Sequence, residues 1–220
     1  MKKNLKNSLM AGAAALAIAG ASFGGTMAYY SAISDTVENE ISVLAGEQDE
    51  QNGVMVVEAA WDALIEADAD YAKDMQPGVT KTKDPAIESK VDYSAYVVAS
   101  VTVPRVLAEV DGAEGNYDLV SYEADTTNWT LIEDATQVVE PTADAAGSST
   151  YYYYLNDALA AGETTEPIFD EFTVTDFSKL DTKCEASIDV YGMAIQTQGY
   201  ENAEGAATQI LTDKGVLTQG

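Results

Sequence analysis

Residues 92–105, DYSAYVVASVTVPR, constrain the fold of this chain more than any other stretch. Tyr96, Val97, Val98, Val101 and Val103 are aromatic or β-branched, and such side chains fit the pleated surface of a strand. A strand wet on one face alternates apolar with polar residues, whereas here both parities are apolar through the middle of the run. The segment is therefore expected to be a strand covered on both faces, which requires a layer of chain above it and another below. Pro104 has no N–H to give a ladder, so it is expected to end the strand at an edge or terminal position.

The remaining segments suit such layers. Val54–Val57 reads as a strand, and Glu58–Lys73 reads as a helix, with Ala60, Leu64, Ala67 and Tyr71 on one face and Trp61 and Ile65 beside them. Pro77-Gly78 stops that helix. Val79–Lys83 alternates into Asp84-Pro85, and Glu88-Ser89-Lys90 reads as polar connection. Asp111-Gly112 and Glu114-Gly115-Asn116 are turn chemistry. Tyr117–Tyr122, Trp129–Ile132, Gln137–Val139, Phe172–Thr175 and Ala186–Ile195 read as further strands, with a Gly/Ser/Ala-rich loop at 142–149. Asn202–Leu211 is helix-like and is stopped by Lys214-Gly215. The pattern predicts a mainly β chain, a single antiparallel β-sandwich with one or two short helices; jelly-roll is a compatible subclass that the pattern alone does not fix.

The first thirty residues carry a different message. Lys2, Lys3 and Lys6 precede an apolar run from Leu9 to Phe23, followed by Gly24-Gly25 and the small residues Thr26 and Ala28. A cationic leader, a hydrophobic core and a small-x-small site make a secretory signal peptide. The run is shorter than the roughly 20 strongly apolar residues of a membrane anchor and is rich in Ala and Gly. Residues 1–28 are thus expected to be removed between Ala28 and Tyr29, leaving residues 29–220 as one exported domain without a permanent membrane span.

Charge and composition then narrow the function. The chain has 11 Lys+Arg against 37 Asp+Glu, a formal charge of −26, and loss of three leader lysines moves it to −29. Nucleic acid is an unsuitable partner, because phosphate binding needs a basic footprint. The absence of histidine excludes Ser-His-Asp and Cys-His sites and the H-E-x-x-H zinc motif. The lone Cys184 can form no internal disulfide and is expected to be a buried or half-buried thiol, with an intermolecular bridge as the sharper option. Glu47, Asp49 and Glu50, and separately Glu66, Asp68 and Asp70, are dense in acid but lack the calcium-loop pattern, so both are expected to be solvated faces. No cofactor and no metal site is expected. Tyr151, Tyr152, Tyr153 and Tyr154 form the densest aromatic run; in a strand two would face each way, and an aromatic patch for sugars or a neighbouring subunit is the sharper reading.

Several short motifs together resemble a known family. Gly24-Gly25-Thr26-x-Ala28-Tyr29 followed by Ser31 resembles precursors cut by a SipW-type signal peptidase. Trp61-Asp62, Pro77-Gly78, Lys83-Asp84-Pro85, Tyr96-Val97 with Pro104, Tyr152-Tyr153-Tyr154-Leu155, Gly162-Glu163-Thr164-Thr165-x-Pro167-Ile168-Phe169 and Tyr191–Gln196 resemble, in order and spacing, the body of the TasA/camelysin family of exported Gram-positive proteins. The resemblance implies a jelly-roll sandwich at the cell surface and a structural role in biofilm-matrix fibres, each subunit's N-terminal segment completing the sheet of the next. Cleavage beside Tyr29 would uncover the segment from Tyr29 to Gly46, whose candidate assembly strand holds Ile41, Val43 and Leu44. The expected partners are further copies of the chain or other matrix and surface proteins, together with the signal peptidase during export. Camelysin-like members are assigned a metalloprotease activity, which is the alternative function; the lack of histidine keeps it from being carried over to this chain. A passive surface binding module that uses the tyrosine run is a further alternative.

Overall fold

The structure, a computed structural model, describes residues 53–72, 75–182 and 187–217. The Ala28–Tyr29 cleavage pair, the assembly strand with Ile41, Val43 and Leu44, the acidic turn at 47–52 and Cys184 lie outside the described residues. In chain order the elements are β1 (Val54–Val57), α1 (Ala59–Ala67), β2 (Thr80–Thr82), β3 (Ala86–Ser89), β4 (Ala95–Val110), β5 (Ala113–Asp118) and β6 (Val120–Tyr122). There follow β7 (Trp129–Leu131), β8 (Gln137–Val139), β9 (Gly147–Leu155), β10 (Glu171–Val174), β11 (Lys179–Leu180), β12 (Asp189–Gln196) and α2 (Ala203–Asp213).

Strand β4 is the spine. Along one edge it pairs with β9, from Val98↔Tyr154 to Arg105↔Gly147, and then with β11 at Ala108 and Glu109. Along the other edge it pairs with β12 from Ala95 to Thr102 and with β5 from Arg105 to Val110. Short strands β7 and β8 lie on the outer edge of β9. Two smaller sheets, β1-β3 and β2-β10-β6, face this large one, and every ladder is antiparallel.

The core explains the apolar run. Val97, Ala99, Val101 and Val103 point into the main cluster, with Ile87 from β3, Phe172 and Val174 from β10, Val120 from β6, and Trp129, Ile168 and Phe169. Val98 points the other way, into a second cluster made by Tyr152, Met193 and the α2 residues Ala207, Ile210 and Leu211. The chain is thus a mainly β, antiparallel, sandwich-like fold with two helices among the described residues, and β4 is covered on both faces as expected. At the β12 crossing the two layers touch closely: a Cβ at Gly192 would stand 3.1 Å from Ile87 and 3.2 Å from Val54.

Several local readings are corrected. Pro104 does not end its strand, since β4 runs six residues past it. In an extended strand the N and C=O of one residue point the same way, and the Pro104 carbonyl accepts from the Leu119 N–H at 2.8 Å. Its ring nitrogen therefore faces the seam between Thr102, the last residue paired with β12, and Arg105, the first paired with β5, where no ladder bond is lost. Helix α1 stops at Ala67 because the Asp68 side chain accepts from the Asp70 N–H at 3.0 Å, a local turn that competes with the helical ladder. Its inner face is Trp61, with Leu64 and Ile65 half-buried, while Ala60 and Ala67 are exposed. Asp111 and Gly112 do make a turn, with φ of 51° and 79° as a tight hairpin requires, but Glu114-Gly115-Asn116 belongs to β5. The small-residue loop ends at Gly147, where β9 begins, and the polar-looking Glu88-Ser89 lies in β3.

Candidate functional site

The most unusual chemistry of the described residues lies where β1 hands over to α1. Glu58, between those two elements, is 3% exposed, and Lys83, just past the end of β2, is 0% exposed. Lysine is almost never fully buried without a partner. Here Lys83 Nζ donates to Glu58 Oε2 at 2.7 Å, and the same nitrogen lies 4.7 Å from the centroid of the Trp61 ring. The Lys83 backbone N–H donates to the Asp170 carbonyl at 3.0 Å, which fixes the base of the side chain. Trp61 in turn meets Tyr71 edge-on at 5.8 Å and Phe172 at 6.3 Å.

The neighbouring Asp84 locks the other side of the junction. Its two carboxylate oxygens accept the backbone N–H groups of Ala60 at 2.8 Å and Trp61 at 2.9 Å. Those are first-turn donors that a helix cannot satisfy itself, and Glu58 at the N-cap position makes no capping bond. Adjacent residues Lys83 and Asp84 thus grip the start of α1 from two directions. Burial pushes the Lys83 ammonium below the usual lysine range, opposed by the charge and hydrogen bond of Glu58. Burial also lifts Asp189, at the start of β12, and Asp62, in the first turn of α1, above the usual carboxylate range, while Lys83 pulls both down. A nitrogen with no exposed surface cannot meet an external substrate in this conformation, so the chemistry open to the site is internal.

The tyrosine run is placed differently from its sharper expectation. Tyr152 and Tyr153 are buried, and Tyr151 and Tyr154 are half-buried against the two clusters. Tyr151 donates to Asp118 Oδ2 at 2.5 Å, beside the Ser149 hydroxyl on Oδ1, and Tyr153 shares a 3.0 Å hydrogen bond with Tyr122. Tyr122 stacks on Phe169 at 4.5 Å. Burial, and then the carboxylate of Asp118, push Tyr151 up to about 12; burial also raises Tyr152, Tyr153 and Tyr122. The run is core and inner hydrogen-bond network rather than an open aromatic patch, because β9 is covered on both faces.

Glu66, Asp68 and Asp70 are exposed at the end of α1, as the acidic-face reading requires. Among the described residues no three His, Cys, Asp or Glu side chains gather as a metal cage.

One surface feature escaped the sequence reading. Four large apolar side chains of the described residues stand open to solvent: Tyr93, Leu131, Val138 and Val139. Three of them lie on β7 and β8, along one edge of the large sheet, with Val139 61% exposed. Alternation over three residues is too short to show which side of a strand is covered, so only the pairing to β9 places these exposed residues on one sheet edge. Comparison of the chain with family models, curated proteins and solved structures finds no match.

Proposed function

We propose that this chain is a secreted structural protein of the cell surface or biofilm matrix, a fibre subunit that assembles by strand addition. The observation that carries the reading is the apolar edge formed by Leu131, Val138 and Val139 on β7 and β8. Natural edge strands are usually blunted by charge, proline or a covering segment, and an apolar edge that pairs with no further described strand is a template for another chain. The leader-like first 28 residues, the family-like motifs and the wholly antiparallel sandwich support the same reading. The jelly-roll connectivity and export from a Gram-positive cell belong to this proposal. In it, the segment from Tyr29 to Gly46, with Ile41, Val43 and Leu44, is the added strand and a second copy supplies the edge.

Electron microscopy and sedimentation of the chain starting at Tyr29, at low and raised salt, test it. Fibres or large oligomers are expected, and their loss in Val138→Lys/Val139→Lys with the fold intact by circular dichroism. Monomers under every condition would sink the reading.

A further inference from the structure

We propose that Lys83 and Glu58 are two halves of an internal cross-link, an isopeptide bond between Lys83 Nζ and Glu58 Cδ formed by the folded chain itself. The reacting groups are already in contact, with nitrogen and carboxylate oxygen 2.7 Å apart. Holding reactants at such a distance converts a bimolecular step into an intramolecular one and supplies much of its barrier as entropy given up during folding. Both groups are sealed from water, at 0% and 3% exposure, with the Trp61 ring face as one wall. A dry site favours condensation over hydrolysis, because once the released water has escaped no bulk solvent stands beside the new amide to reverse the step.

Burial supplies the second argument. Two charges taken out of water carry a desolvation penalty that their mutual attraction rarely exceeds. An amide removes both charges and keeps the link. The step balances without a co-reactant. The ammonium passes one proton to the Glu58 carboxylate, giving an amine and a carboxylic acid. The amine lone pair attacks Cδ and forms the C–N bond. A second proton moves from nitrogen to the acid's hydroxyl oxygen, the C–O bond breaks, and water leaves. One ammonium and one carboxylate become one amide and one water, with no change in oxidation state. Burial already biases Lys83 toward the neutral amine that the attack needs.

The product would tie the β1–α1 junction to the end of β2, closing the chain from 58 to 83 with a covalent clasp. A chain with one cysteine has no disulfide to do this. Asp62 and Asp189 are the other carboxyls whose charge Lys83 feels, and they define the competing outcomes.

Mass spectrometry of the intact, purified full chain decides the matter. The expected mass is one water below that of the sequence, and a digest should yield a branched peptide joining the segment with Glu58 to the segment with Lys83. Trypsin should then leave the bond after Lys83 uncut in the denatured protein. Lys83→Arg keeps the cation but cannot form the amide, so it should show the full mass; if that variant fails to fold, the branched wild-type peptide still decides. Full mass in folded wild type, with ordinary tryptic cleavage after Lys83, reduces the pair to an ion pair and overturns the proposal. Loss of water with Lys83 joined to Asp62 or Asp189 overturns the assignment to Glu58.

Discussion

Asp84 caps α1 from outside the helix, and the geometry makes its contribution measurable. It satisfies two donors and places a negative charge at the helix N-terminus, where the peptide dipoles favour it. Asp84→Ala should destabilise the chain by about 1 kcal/mol, the usual cost of a lost cap, and Asp84→Asn should recover most of that in a urea titration. The Tyr151 hydroxyl offers a test with a defined sign. Its folded pKa stands at about 12, above the ordinary value of 10.0, so the fold disfavours tyrosinate. The stability that this contributes is complete below pH 10 and is lost as pH climbs through 12. The midpoint of unfolding should fall over that window, and tyrosinate absorbance should show a late-titrating class. A single titration of all tyrosines near the ordinary value would refute it. Lys83 shows why such sites hide in a sequence. Lys81 and Lys83 share a parity in the alternating run 79–83, which gives no sign that they part company. The strand ends at Thr82, so parity no longer binds Lys83: Lys81 lies over Tyr71 at 4.3 Å, while Lys83 turns into the core. Trp61-Asp62 and Lys83-Asp84 were visible as motifs, but their meeting depends on the packing of β2 and α1.

At the scale of elements, β8 depends on a single glycine. A Cβ at Gly147 would stand 1.9 Å from the Val139 carbonyl oxygen and 2.7 Å from the Glu140 carbonyl carbon, both of them backbone. Gly147→Ala should therefore push β8 away from β9 at a cost of about 1–3 kcal/mol, as overpacking does. Amide exchange at Gln137 and Val139 should quicken selectively, and the proposed assembly edge should weaken with it. Protected amides and an unchanged unfolding midpoint would show that the crowding is relieved elsewhere. The legible elements are those whose own side chains state their surroundings: β4 with its two-sided apolar run, β9 with its tyrosines, and α2 with Ala206, Ala207, Ile210 and Leu211 inward. The illegible ones take their burial from distant chain. β3 looks polar because Glu88 and Ser89 end it, yet Ile87 is fully buried by β1 and β12 neighbours. β5 holds Gly115 and Asn116, which resemble a turn until β4 supplies the ladder.

For the whole molecule, charge sets the conditions of association. A formal −26, or −29 without the first 28 residues, makes copies repel over about 10 Å at 0.1 M salt and over longer distances in dilute buffer. The proposed assembly by the β7–β8 edge should be slow in low salt and accelerate as salt rises or acids are protonated, with scattering growth as the readout. Rates independent of salt would separate assembly from this surface charge. The long spine has one more consequence, in the order in which its strands become available as the chain is made. The β4–β5 hairpin closes over its Asp111-Gly112 turn with little entropy lost, but residues 95–102 wait for 189–196 before their second edge is paired. A chain made from its N-terminus thus carries an open, apolar template until its last strand is complete, and prompt arrival of β12 is what separates folding from aggregation.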